Sequence, residues 1–66
     1  MIAKLSLSTR DNAKSLYTVN ARDEADLRRL MLSAREWLHS HREHLSIVVT
    51  IAWTSGAVSS VVITRH

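Results

Sequence analysis

Residues 53–62, WTSGAVSSVV, place a serine and a glycine at positions 55 and 56 between two apolar runs. This pattern predicts a two-residue hairpin turn that joins strands at residues 45–54 and 57–65. Because side chains alternate along a strand, the register set by this turn decides which residues of the last strand face the core. The predicted register pairs Trp53 with Val58, Ile51 with Ser60, Val49 with Val62 and Ile47 with Thr64.

A second hairpin is predicted at the beginning of the chain. Residues 2–9 and 15–21 both alternate apolar and polar side chains, which is typical of half-buried strands. The segment between them, RDNAK, is rich in residues that favour turns. If Arg10 faces Lys14 across a three-residue loop, the apolar members of both strands share one face. The resulting pairs are Leu7 with Tyr17, Leu5 with Val19 and Ala3 with Ala21.

Residues 23–44 change from alternating to helical periodicity. Their apolar side chains recur at spacings of three and four, which predicts one amphipathic helix. Asp23 is expected to cap the N-terminus of this helix. The stripe that should face the core consists of Leu27, Leu30, Met31, Ala34, Trp37, Leu38 and His41.

These elements predict an α+β fold of order ββαββ, in which a four-stranded, mainly antiparallel sheet carries one helix on one face. Residues 1–66 are expected to form a single domain, and the strand order stays open. We expect the one helix to cover that face of the sheet, whose strands are about 4.8 Å apart. A domain this short buries only about 60% of the surface of its unfolded chain. The chain has no cysteine for a disulfide, so stabilisation by a homodimer is expected.

The sheet face opposite the helix is predicted to carry an apolar patch. In the register above, Val48, Val61 and Ile63 lie on that face beside Ala52 and Ala57. An exposed apolar patch favours contact with a second copy or with another protein. Pairing of exposed edge strands would serve the same purpose. A simpler explanation is that small β-branched residues are good strand formers.

Arg28, Arg35 and Arg42 recur every seven residues and should lie along one flank of the helix. With the patch residues, they are the predicted contacts to a protein partner. The alternative partner is a nucleic acid whose phosphates would meet the same arginines together with Lys4 and Lys14. However, no aromatic residue interleaves the arginines, and no known nucleic-acid-binding motif is present. A solvated helix flank explains the same spacing without any ligand.

The residue pattern gives no support for catalysis or cofactor binding. There is no cysteine, no glycine-rich phosphate loop and no motif that activates a serine. The segment HSHREH at residues 39–44 offers two histidines on one helical face without a third metal ligand. The longest apolar-rich run, LSIVVTIAW, is shorter than the roughly 20 residues that span a bilayer. We therefore expect no enzyme activity, cofactor, metal, small-molecule substrate or membrane partner, and a cytoplasmic location.

Together, these observations predict a small non-enzymatic binding or regulatory protein that acts through protein–protein contact. The net charge of +3 permits a nucleic acid or an anionic surface as a partner. Chains of this size without catalytic motifs are often regulators or inhibitors, including those of phages and plasmids, and this chain is expected to act by covering a partner's surface. The alternative is a nucleic-acid-binding module. The sequence identifies neither the partner nor the pathway.

Overall fold

The computed structural model describes residues 1–9 and 12–65, with every side chain in those ranges except those of residues 12–14. These residues form one helix and four strands in the order ββαββ, which confirms the α+β fold class. The elements are β1 (Ala3–Thr9), β2 (Asn12–Ala21), α1 (Glu24–Ser40), β3 (Ser46–Trp53) and β4 (Val58–Thr64).

All four strands belong to one sheet with the order β2-β1-β3-β4, and every neighbouring pair is antiparallel. Strand β2 begins at Asn12, three residues earlier than predicted, and its pairing with β1 shifts register between Leu7 and Thr9. Arg10 of the predicted pair with Lys14 lies outside the described residues, and the pairing of Thr9 with Asn12 shows that the predicted three-residue loop is wrong. The other predicted pairs of this hairpin are confirmed: Leu7 with Tyr17, Leu5 with Val19 and Ala3 with Ala21.

The core lies between α1 and one face of the sheet. Alternate residues of each inner strand point towards the helix, and the largest fully buried side chains of the described residues are Leu38, Ile47 and Val49. Both tryptophans, Trp37 and Trp53, are partly buried and pack against this core. The buried apolar residues are Ala3, Leu5, Leu7, Ala21, Ala34, Leu38, Ile47, Val49 and Ile51.

The beginning of α1 is fixed by two aspartates. Asp23 is the N-cap, as predicted, and its Oδ1 accepts a hydrogen bond of 2.8 Å from the backbone N–H of Asp26. The Asp26 carboxylate accepts bonds from the backbone N–H of Arg22, at 3.0 Å, and from the guanidinium of Arg29. The Arg22 N–H, followed by the Arg29 guanidinium, holds the pKa of the Asp26 carboxyl below its usual value.

The helix ends at Ser40, so the prediction that it continues to residue 44 is wrong. His41 leaves the helical conformation, with φ −112° and ψ 83°, and its backbone N–H still bonds to the carbonyls of Trp37 and Leu38. Its imidazole stacks on the indole of Trp37, with ring centroids 3.9 Å apart. The sequence contains no glycine or proline at this point that would predict the end of the helix.

The register of the β3–β4 hairpin differs from the prediction by one residue. The backbone N–H of Trp53 donates to the carbonyl of Ala57 at 2.8 Å, so the turn contains three residues rather than two. A slip of one residue turns every side chain of β4 to the other face of the sheet. The observed pairs are Ile47 with Ile63, Val48 with Val62, Val49 with Val61, Thr50 with Ser60, Ile51 with Ser59 and Ala52 with Val58.

Gly56 explains why the longer turn forms. This glycine has φ +99°, and no other residue type in the described part of the chain has a positive φ. A two-residue turn of the common type I′ needs positive φ at both positions and would force Ser55 into the left-handed region. A three-residue turn needs it only at its last position, where the chain has its one glycine.

The turn predicts a difference between two substitutions at position 56. Gly56→Ala should lower the free energy of unfolding by about 1–2 kcal/mol because alanine is strained at positive φ. Steric contact should add nothing, since a methyl group there meets no atom within 4 Å. Gly56→Asn should cost less, because asparagine tolerates this region. Urea unfolding followed by tryptophan fluorescence measures both; equal losses for the two variants would contradict this account of the turn.

Candidate functional site

Strand β4 is the least covered element of the fold. The helix lies nearest to β2 and β3. A sheet of four strands is about 19 Å wide, whereas a helix with its side chains is about 10–12 Å across. The expectation that one helix covers the whole face is therefore wrong, and Ile63 is the only residue of β4 that is partly buried. The other six residues of β4 are exposed.

The predicted apolar patch does not lie on a single face. Val48 points away from the helix, as predicted, and is partly buried. Val61 and Ile63 lie on the helix side, because they pair with Val49 and Ile47 of the core, so their predicted position on the opposite face is wrong. A hydrogen bond of 3.3 Å from Trp53 Nε1 to the Ser59 hydroxyl agrees with this register.

An apolar patch is nevertheless present on the face opposite the helix, with different members. Val62 lies beside Val48, and Val58 lies beside Ala52. Val58 and Val62 are 68% and 54% exposed. We call Val48, Val58 and Val62 the outer valine patch. On the helix side Val61 is also 37% exposed, so β4 presents valines to solvent on both faces.

The outer edge of β4 carries a row of backbone groups without a neighbouring strand in the sheet. Hydrogen bonds from Trp53 N–H to Ala57 O and from Arg65 N–H to Leu45 O show that odd-numbered residues bond towards β3. In an antiparallel ladder the intervening residues then direct their N–H and C=O groups outwards. In β4 these residues are Val58, Ser60, Val62 and Thr64.

Nothing in the sequence of β4 blocks this edge. Proteins usually protect edge strands with charged residues, proline or bulges, and residues 57–64 contain no charge and no proline. The pairing of β4 with β3 is regular over its whole length. At the other edge, β2 pairs irregularly near its beginning, and its sequence contains a lysine and two asparagines. The two edges therefore differ in their capacity to add a strand.

Between α1 and β4 runs an open groove with a volume of about 690 Å³. Its walls are mainly apolar, and Leu32 is 61% exposed although it is a large hydrophobic residue. Arg28 and Arg35 border the groove along the helix. The apolar residues that line it are Leu27, Met31 and Leu32 from the helix and Ile51, Val62 and Ile63 from the sheet.

The structure separates the predicted cationic residues. Arg28 and Arg35 share the groove-facing flank of α1, but Arg42 lies in the turn after the helix. Lys4 is exposed on the opposite face of the sheet, because it alternates with the buried residues of β1. The Lys14 side chain lies outside the described residues. The described part of the proposed phosphate-binding set is therefore not one continuous surface.

Arg65 connects the end of β4 to the end of α1, a role that no sequence pattern predicts. Its guanidinium donates hydrogen bonds to the carbonyl of Leu38 and, at 2.5 Å, to that of His41. These carbonyls belong to the last turn of the helix and its cap, and each also accepts a backbone hydrogen bond, from the N–H of His41 and of His44 respectively. Arg65 and Leu38 are 27 positions apart, so local spacing could not reveal the pair.

The described residues contain no group of three or more histidine, cysteine, aspartate or glutamate side chains placed to hold a metal ion. Within the same part of the chain, no helix has both the length and the apolar character needed to cross a membrane. Comparison with protein-family models, curated proteins and solved structures gives no match. Any statement about function must therefore come from the geometry of β4 and the groove.

The cap at the end of α1 predicts a stability effect. Arg65→Met keeps most of the side-chain volume but removes both hydrogen bonds, and should lower the free energy of unfolding by about 1.5–3 kcal/mol. Arg65→Lys should lose part of this stabilisation, because an ammonium group cannot reproduce the planar arrangement of donors in a guanidinium. Urea unfolding at one fixed protein concentration provides the measurement. An unchanged midpoint for Arg65→Met would show that the cap contributes nothing.

Proposed function

We propose that the protein is a small non-enzymatic binding protein that acts through protein–protein contact and forms a homodimer through β4. In this dimer the open edges of two β4 strands pair in antiparallel orientation and join the two sheets into one of eight strands. The observation that carries the proposal is that strand β4 is uncharged, rich in valine and exposed on both faces, and that no charge or proline protects its outer edge.

A second copy of the chain suits this edge for two reasons. An antiparallel pair of identical strands obeys a two-fold axis, which is the commonest symmetry of protein dimers. Because β4 carries no charge, two copies can approach there without like-charge repulsion between the strands, although each chain has a net charge of +3.

The size of the core supports the same arrangement. Nine apolar residues form the buried core, and no disulfide reinforces it. Edge pairing would shelter Val58, Val61 and Val62, which a single chain leaves in water. The dimer would then serve a regulator or inhibitor that covers a partner's surface, as expected from the sequence.

The dimer predicts a specific effect of proline at position 60. The Ser60 N–H points to the open edge and makes no bond to β3, so Ser60→Pro should leave the β3–β4 hairpin in place and block only the pairing with a second copy. Sedimentation velocity at micromolar concentration should give about twice the chain mass of 7.5 kDa for the unmodified protein and a monomer for Ser60→Pro.

Ser60→Ala is the matched control, because it keeps the N–H at the same position and should stay dimeric. Far-ultraviolet circular dichroism establishes that both variants are folded. A monomeric unmodified protein, or a folded Ser60→Pro variant that is still a dimer, would refute the proposed interface.

A further inference from the structure

The space above β4 on the helix side is open to one more helix. Helix α1 occupies the region nearest to β2 and β3, and about 7–9 Å of the width of the sheet remains beside it. Two helices packed side by side on a sheet lie about 8–10 Å apart. The groove of about 690 Å³ between α1 and β4 is this unfilled position.

The walls of the groove are suited to an apolar helix face. Leu27, Met31 and Leu32 extend along about one and a half turns of α1, and Ile51 and Ile63 contribute from the sheet. Leu32 is a large hydrophobic residue that is mostly exposed and does not belong to the core. Its position therefore favours a contact with another molecule. An occupant that buries these side chains needs its own apolar stripe at helical spacing.

The rim of the groove specifies the charge of the occupant. Arg28 and Arg35 are both exposed and lie seven residues apart, which is about 10.5 Å along the helix axis. Within the described part of the chain neither arginine forms an ion pair with a carboxylate. Carboxylates at positions i and i+7 of a neighbouring helix have the same spacing.

Two other occupants fit less well. A second copy of this chain carries a net charge of +3, so it matches a pair of arginines poorly. A nucleic acid would meet Arg28 and Arg35, but its phosphates would gain nothing from the leucine, methionine and isoleucine side chains between them. The combination of apolar walls and a cationic rim favours a protein helix with apolar and acidic residues on adjoining faces.

From this geometry we infer that the groove between α1 and β4 binds an acidic amphipathic helix of a partner protein. Its apolar face packs on Met31, Leu32 and Ile63, and its carboxylates pair with Arg28 and Arg35. The groove is formed within one chain, so this binding does not depend on the dimer.

A designed peptide tests the inference. The probe is a fluorescein-labelled helical peptide of about four turns, with leucines at spacings of three and four and glutamates seven residues apart on the adjoining flank. A matched peptide carries lysine in place of each glutamate. Fluorescence anisotropy should show binding of the acidic peptide and at least about tenfold weaker binding of the lysine peptide.

Reversing the charge of the two groove arginines should reverse the preference for the acidic peptide over the lysine peptide. The double variant Arg28→Glu/Arg35→Glu should lose at least about tenfold in affinity for the acidic peptide and gain affinity for the lysine peptide. The control, Lys4→Glu/Arg42→Glu, makes the same change in net charge outside the groove and should bind the acidic peptide nearly as well as the unmodified protein. Leu32→Ser should weaken binding of the acidic peptide to the protein with both arginines and of the lysine peptide to the charge-reversed double variant. The substitution removes apolar contact and leaves the charges unchanged.

Several results would overturn the inference. These are no binding of the acidic peptide at millimolar concentration, equal effects of the two double variants, or loss of binding in folded Ser60→Pro monomer. A fourth is that the protein binds single- or double-stranded DNA at low salt through Arg28 and Arg35 but does not bind the acidic peptide. That result would assign the flank to phosphates instead.

Discussion

The width of the sheet relative to a single helix is the constraint on which the rest of this structure depends. Three strands can be sheltered by α1, and the fourth cannot. The core accordingly draws its buried strand residues from β1, β2 and β3, with none from β4. The last strand is thus held to the fold by its ladder with β3 and by Arg65, which bonds to the end of α1.

The exposed strand divides into three surfaces with different chemistry. Its outer edge offers backbone hydrogen-bonding groups, the face away from the helix offers the outer valine patch, and the face towards the helix forms one side of the groove. The groove has two charged residues at its border, the arginines Arg28 and Arg35. An uncharged edge suits a copy of the same chain, whereas the groove selects a partner of opposite charge.

Much of the fold could be predicted from the sequence because its periodicities are strong. The alternation of residues 2–9 and 15–21 was enough to obtain the pairing of Leu5 with Val19, and Asp23 marked the beginning of the helix. The end of the helix was missed, because His41 and Arg65 terminate it through contacts that no local pattern contains.

The candidate site was harder to predict, because it depends on one residue of register. Val48, Val61 and Ile63 were assigned to one face, and the three-residue turn at Gly56 moves two of them to the other. Each face of β4 carries two apolar residues, Val58 and Val62 on one and Val61 and Ile63 on the other. The hydrophobic pattern alone could therefore not select between the two registers. The groove was also missed, since it results from the helix covering three strands instead of four. The exposed apolar residues of β4 are Val58, Val61 and Val62, and they lie on both faces of the sheet.

Amide hydrogen exchange along β4, followed by NMR, tests the central claim most directly. In a monomer, Ser59, Val61 and Ile63 bond to β3, whereas the N–H groups of Ser60 and Val62 face solvent at the edge. If β4 is the interface, protection of Ser60 and Val62 should equal that of their neighbours at high protein concentration and fall on dilution. Alternating protection that is independent of concentration would contradict the account, because the edge would then be open in solution.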